Sequence, residues 1–339
     1  LSRVLVHSLS CRHQSESVES HRVFLCSCWQ YTNKYYNTQS HSLPQQIKNW
    51  SEFFEILIPY LGRGDVLYFE EVQWLASYQS EFFSRLKEFW DDRLRHLSKF
   101  RLVLCGSSPS FIVSELLSGQ AFYNRSLNEI RLAPFEIDEI AEYFGPDYGA
   151  REIMLVALTL GGVCEYLKIL KNAKGSFLNE LALQSSAKDS FFKLEYDKIF
   201  VSSMANNKHY KKILYFLATK KFATKQEIAK FLKISAPGGT LSHLLDDLEK
   251  CELIKAYSPI LNQNARNLVR YSIADEYINF YNKFILPKLA DIDSGKFSQD
   301  ASHFFDRHSL KINLDFMLEK WCRKNHRRLA KIMKFDQLN

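Results

Sequence analysis

Glycine is scarce in this chain, with 12 in 339 residues and none before Gly62. That excludes a glycine-rich, phosphate-cradling loop from the first 61 positions, and the pattern G-x-x-x-x-G-K-[ST] occurs nowhere in the sequence. The one Gly-Lys pair, Gly295-Lys296, is followed by Phe297 and lacks the upstream glycine. No apolar run approaches the roughly 20 residues that cross a bilayer, which predicts no membrane partner. No basic opening followed by an apolar stretch and a small-residue cleavage site is visible. The seven cysteines are scattered and odd in number, which argues against a disulfide frame and for a reducing, cytoplasmic setting. Cys11, His13, His21, Cys26 and Cys28 match no standard zinc-finger spacing.

Apolar residues make up 46% of the chain, with 26 Phe and 17 Tyr, enough for real cores in two or three domains. Charge is unevenly spread. Residues 50–205 hold 16 Lys/Arg against 22 Asp/Glu, whereas residues 206–290 hold 14 against 7 and residues 317–334 hold 7 against 1. An acidic first part and a basic second part imply different partners for each.

Residues 1–43 contain no Gly and no Asp and show no clear period, so they read as a degenerate or disordered segment. Order begins near Pro44. Trp50, Phe53, Phe54, Leu57 and Ile58 fall at helical spacing up to Pro59. A Gly-Asp turn then leads into Val66-Leu67-Tyr68-Phe69, four apolar residues ending in Glu70 and Glu71. So short a run between turn signals predicts a strand buried on both faces, as in a parallel sheet. Carboxylates at the carboxyl end of such a strand stand where α/β sheets hold ligands. There one acid can position Mg²⁺ and a second can orient or deprotonate the attacking water. An ordinary strand with a solvated Glu-Glu tip is the plain alternative.

Phe82 to Leu97 predicts an amphipathic helix, and Phe100 to Cys105 a second buried strand ending in Gly106-Ser107-Ser108, so that the three form one βαβ unit. Ser107 either contacts a phosphate or caps the following helix. Ile130 to Phe135 reads as an edge strand because of Pro134. Short helices at 139–144 and 153–158 suggest a helical lid. Gly161-Gly162 reads as a tight turn or as a helix start offering amides to a phosphate. From Lys208 onward, three helices, the Thr224–Glu227 capping box and strands at 253–257 and 268–273 flanking residues 259–267 spell a winged helix. Its third helix would expose Ser242, His243, Asp246, Asp247 and Lys250, and two aspartates oppose phosphate. That favours packing or protein contact for the module. Lys220, Lys221, Arg266 and Arg270 keep DNA as the alternative. Residues 288–305 read as a linker, and Met317 onward opens a basic amphipathic helix.

Taken in order, Trp50-Ser51-Glu52-Phe53-Phe54, Val66 to Leu75, Leu104 to Phe111, Tyr123-Asn124-Arg125, Gly161-Gly162-Val163 and Tyr271 to Tyr277 resemble motifs of the prokaryotic AAA-type ATPases often called archaeal-type ATPases. The resemblance spans roughly Trp50 to the end. It implies an α/β fold: a partial P-loop NTPase parallel sheet with a helical lid, followed by a winged-helix domain. The implied divisions are 1–43, an NTPase core at 44–145, a lid at 146–205, a winged helix at 206–287, and a linker with the start of a truncated nuclease-like domain at 288–339. It also implies ATP and Mg²⁺ as cofactors, Glu70 as metal ligand, and Glu71, Ser107 and Arg125 as catalytic residues.

The chain departs from that pattern. Glu70 stands where the family usually has Asp, Cys164 replaces a Pro, and the glycine-lysine loop is missing. Ser2-Arg3-Val4-Leu5 would take the place of the helix after that loop. The expectation is an ATPase-family protein, fragmentary or degenerate, with impaired ATP binding and hydrolysis. The alternative is a winged-helix DNA-binding or protein-interaction module without catalysis.

Overall fold

The computed structural model describes residues 49–69, 72–75, 81–106, 128, 130, 132–171, 176–203, 208–234, 239–258 and 269–335, excepting the side chains of residues 73, 74 and 201–203. It divides into two compact units, Leu1–Glu129 and Ile130–Asn339.

In the first unit, helix α1 (Trp50–Leu57) starts where Asn49 accepts the Glu52 N–H at 2.9 Å and ends in a 3₁₀ turn through Pro59. Its inward stripe is Trp50, Phe53, Phe54 and Leu57. The chain then turns through Gly64, at φ +81°, with the Asp65 carboxylate accepting the Gly62 N–H at 2.7 Å. Strand β1 (Val66–Phe69), helix α2 (Val72–Leu75), helix α3 (Phe82–Asp92) and strand β2 (Arg101–Leu104) follow.

The two strands pair in parallel, Val66 opposite Arg101 through Phe69 opposite Leu104. This is the β-helix-β unit the spacing predicts. Burial departs from expectation, however. Leu67 and Phe69 are buried while Val66 and Tyr68 are only half-buried, and Arg101 and Val103 are exposed. The apolar cluster of Trp50, Phe54, Phe82, Leu86 and Phe89 packs with Leu67 and Phe69. Phe54 stacks on Phe89 at 4.8 Å, and Phe69 meets Phe82 edge to face at 5.5 Å.

The second unit is mainly helical: α4 (Ile137–Phe144), α5 (Ala150–Thr159), α6 (Cys164–Lys171), α7 (Phe177–Ser186), α8 (Phe191–Ser203), α9 (Lys208–Ala218), α10 (Lys225–Leu232) and α11 (Gly239–Lys250). The Thr224–Glu227 capping box forms as the sequence predicts and starts α10. Strands β3 (Ala223–Thr224), β4 (Ile254–Tyr257) and β5 (Arg270–Ile273) make an antiparallel sheet in the order β3-β5-β4.

After β5, α12 (Glu276–Phe280) runs on through a π turn at Tyr281–Ile285 and a 3₁₀ turn to α13 (Leu289–Asp293). The chain ends in α14 (Arg307–Lys324) and α15 (His326–Ile332). One continuous core runs from Ile140 to Leu310. In it Tyr196 stacks flat on Tyr281 at 3.9 Å, and the Tyr277 hydroxyl donates to the Phe192 carbonyl at 2.7 Å.

Two expectations fail here. Residues 288–305 are no linker: Ile292, Phe297, Phe304 and Phe305 are buried, and Lys288 donates to the Phe304 carbonyl. Their aromatics are spaced irregularly around Gly295, so no helical period announces the packing. The described residues among 130–135 form no strand; Ile130 and Leu132 are 83% and 88% exposed.

Candidate functional site

Strand β1 delivers its carboxyl end alongside that of β2. The Phe69 carbonyl accepts the Cys105 N–H at 2.8 Å, and the Cys105 carbonyl accepts the Val72 N–H at 3.0 Å. The described residues on either side of the two acids are therefore both bonded to Cys105, two positions before Ser107. Glu70, Glu71, Ser107 and Arg125 themselves lie outside the described residues. The positioning logic is nonetheless visible in the backbone. Parallel register brings the tips of two strands together although a helix separates them in sequence.

The Gly161-Gly162 pair serves packing. The Phe135 N–H donates to the Gly162 carbonyl at 2.9 Å, and a Cβ on Gly162 would lie 2.0 Å from the Phe135 carbonyl oxygen. Gly161 sits at φ +70°, where a Cβ would come within 2.8 Å of a Glu276 carboxylate oxygen. Only glycine admits both approaches. The space over Gly162 is filled by backbone and is closed to a phosphate.

Beside this turn lies a half-buried cluster of charged groups that sequence reading missed. Asp275 caps α12, accepting the Ile278 N–H at 2.7 Å. Lys320, from α14, donates to the Ile273 carbonyl. Burial pushes the Asp275 and Glu276 carboxyls above the usual carboxylate range, and the two acids' mutual repulsion raises Glu276 further. Burial pulls the Lys320 ammonium down, against the attraction of Glu276 and Asp275, while Lys283 and Arg323 repel it. The Asp-Glu dipeptide carried a signal only in hindsight: two adjacent acids opening an aromatic helix need a cation if they are buried.

ATP and Mg²⁺ are the groups a nucleotide hydrolase fold implies. The glycine pair does not fit a triphosphate, because the Phe135 backbone fills the space over it, and Lys320 is already bonded to the Ile273 carbonyl. Nor is there a group of His, Cys, Asp and Glu among the described residues that could hold a metal ion. No described helix is long and apolar enough to cross a membrane.

No family model matches the chain. An uncharacterized protein of Methanocaldococcus jannaschii is 24% identical over 278 residues, which are 80% of this chain and 60% of that protein. This chain thus spans about 60% of the length of the curated relative it matches. The Orc1 protein of Aeropyrum pernix, solved in complex with DNA, aligns over 74% of this chain and 73% of its own at 12% identity, but with a TM-score of 0.35, too low to speak to fold. The Walker-type ATPase of Pyrococcus abyssi aligns over 78% of each chain with a TM-score of 0.53 and 18% identity. The chain is therefore similar in fold to a Walker-type ATPase.

Proposed function

We propose that the chain is an ATPase-family protein of the AAA type that holds nucleotide weakly as it stands. In this reading β1 and β2 are the central strands of a P-loop NTPase sheet. In it Glu70 takes Mg²⁺, Glu71 orients water, Ser107 senses the terminal phosphate and Arg125 contacts it. The observation that supports the reading is the parallel register of 66–69 on 101–104, which pairs Phe69, the residue before the acids, with Leu104, three positions before the serine. The reason for weak binding is chemical. Without a glycine-lysine loop in these 339 residues, the amides and the ammonium that neutralise the β- and γ-phosphates are missing.

In the same reading α4 to α8 make the lid, and α9, α10 and α11 with the β3-β5-β4 sheet make the winged helix. Its third helix carries Asp246, Asp247 and Glu249, and Asp247 accepts a hydrogen bond from the Tyr210 hydroxyl at 2.7 Å. Lys220 pairs with Glu227 at 3.3 Å and Lys221 with Glu319 at 3.5 Å. These features favour protein contact over duplex reading for α11. The test is thermal unfolding with and without Mg·ATP. No shift is expected. A clear shift abolished by Glu70→Ala would overturn weak binding, and a shift indifferent to Glu70 and Glu71 would overturn the site.

A further inference from the structure

Charge is segregated within residues 208–258. From Lys208 to Ile234 there are eight lysines and one acid, Glu227; from Gly239 to Ser258 there are four acids and two lysines. The basic half is α9, the β3 turn and α10. Three of its lysines are neutralised inside the chain: Lys211 by Asp197, Lys220 by Glu227 and Lys221 by Glu319. Lys225 donates to Ser242. Lys208, Lys212, Lys230 and Lys233 have no carboxylate within ion-pair distance among the described residues.

The same surface carries aromatic rings. Along α9, Lys212, Tyr215, Phe216 and Thr219 recur at three- and four-residue steps and so share one stripe. Phe231 of α10 stacks on Phe216, with centroids 4.5 Å apart and planes 15° from parallel, and lies 6.5 Å from Tyr215. Tyr215 remains 43% exposed and Phe231 40%. A single exposed ring is ordinary on a protein surface. A stacked set edged by lysines without acid partners has the composition of a platform for bases and phosphates together.

We propose that the α9–α10 surface binds single-stranded nucleic acid, with Tyr215 and Phe231 stacking on bases and Lys208, Lys212 and Lys230 contacting phosphates. The inference goes beyond the nucleotide reading and does not depend on it. A duplex keeps its base faces stacked inside and offers these rings nothing, and the neighbouring α11 presents acids to its backbone. A membrane surface is less well matched, because the rings lie flat against each other instead of protruding.

The experiment is fluorescence anisotropy of a labelled oligothymidylate titrated with the whole chain at several salt concentrations. Binding is expected to weaken with salt at a log–log slope of about −0.7 per phosphate neutralised. Phe231→Ala should weaken binding about 5-fold or more without altering that slope. Lys212→Ala or Lys230→Ala should flatten the slope by about 0.7 each. Tyr215→Ala provides a second ring variant, and circular dichroism checks that each variant is folded. Folded ring variants that bind like the unmodified chain would overturn the proposal. So would equal competition by a duplex of the same length, no binding at low salt, or binding to phosphatidylserine vesicles in place of the oligonucleotide.

Discussion

Lys320 of α14 donates its ammonium proton to the carbonyl of Ile273, 47 residues away at the end of β5. That bond ties α14 to the end of β5 and sets the cation where Glu276 and Asp275 attract it. Removing one partner from a half-buried charged set costs more than an exposed pair contributes, because the groups left behind stay partly desolvated.

Lys320→Met should therefore lower the stability of the second unit by about 1–3 kcal/mol. Adding Glu276→Gln to it should recover part of the loss, since the two effects are coupled. Urea unfolding followed by circular dichroism measures both. A single variant within 1 kcal/mol or so of the unmodified chain would show that the cluster is solvated.

The same cluster sets a pH dependence. Asp275 and Glu276 have folded values raised above their ordinary ones, 3.8 and 4.5. The folded state then binds more protons than the unfolded state, so these acids favour folding at low pH and lose that contribution as pH rises through their folded values. Lys320 has the opposite sign: its lowered value favours folding at high pH and loses that contribution as pH falls through the folded value. Without the lysine only the acid effect remains. The melting-temperature gap between Lys320→Met and the unmodified chain should shrink as pH falls from neutrality towards the ordinary carboxylate range. A gap that widens would contradict the assignment.

Gly162→Ala should destabilise the second unit by at least about 2–3 kcal/mol, because its Cβ would collide with the Phe135 carbonyl 2.0 Å away. The clash is with backbone, which cannot swing aside as a side chain can. A thermal melt like that of the unmodified chain would mean that the segment at Phe135 does not lie against the glycine pair.

Phe69→Ala should cost the first unit about 3–5 kcal/mol. Phe69 is fully buried against Phe54 and Phe82. Trp50 contacts Phe82 at 4.7 Å, so tryptophan fluorescence during urea unfolding reports on this core. A loss below 1 kcal/mol or so would argue that β1 is no core strand.

Much of the local structure was legible because it is encoded over short spans. The stripe from Trp50 to Leu57 made α1, Val66 to Phe69 made a strand, and Thr224 with Glu227 made a cap. These depend on periodicity and on contacts three or four residues apart. The candidate acids Glu70 and Glu71 were legible as a pattern following β1 for the same reason. The packing of 288–305 is not legible in the sequence because its aromatics are buried against residues distant in the chain.

The amino-acid sequence by itself determined the strand at 66–69, the helix from Trp50 and the cap at Thr224, the charge division between residues 208–234 and 239–258, and the absence of a glycine-lysine loop from these 339 residues. Only the tertiary structure decided that Gly161-Gly162 receives the backbone of Phe135, that Lys320 serves Ile273 and its neighbouring acids, and that Tyr215, Phe216 and Phe231 gather on one surface. The physical reason is range. Propensity and capping act within a turn of chain, whereas close backbone approach and buried charge depend on which distant segments the core brings together.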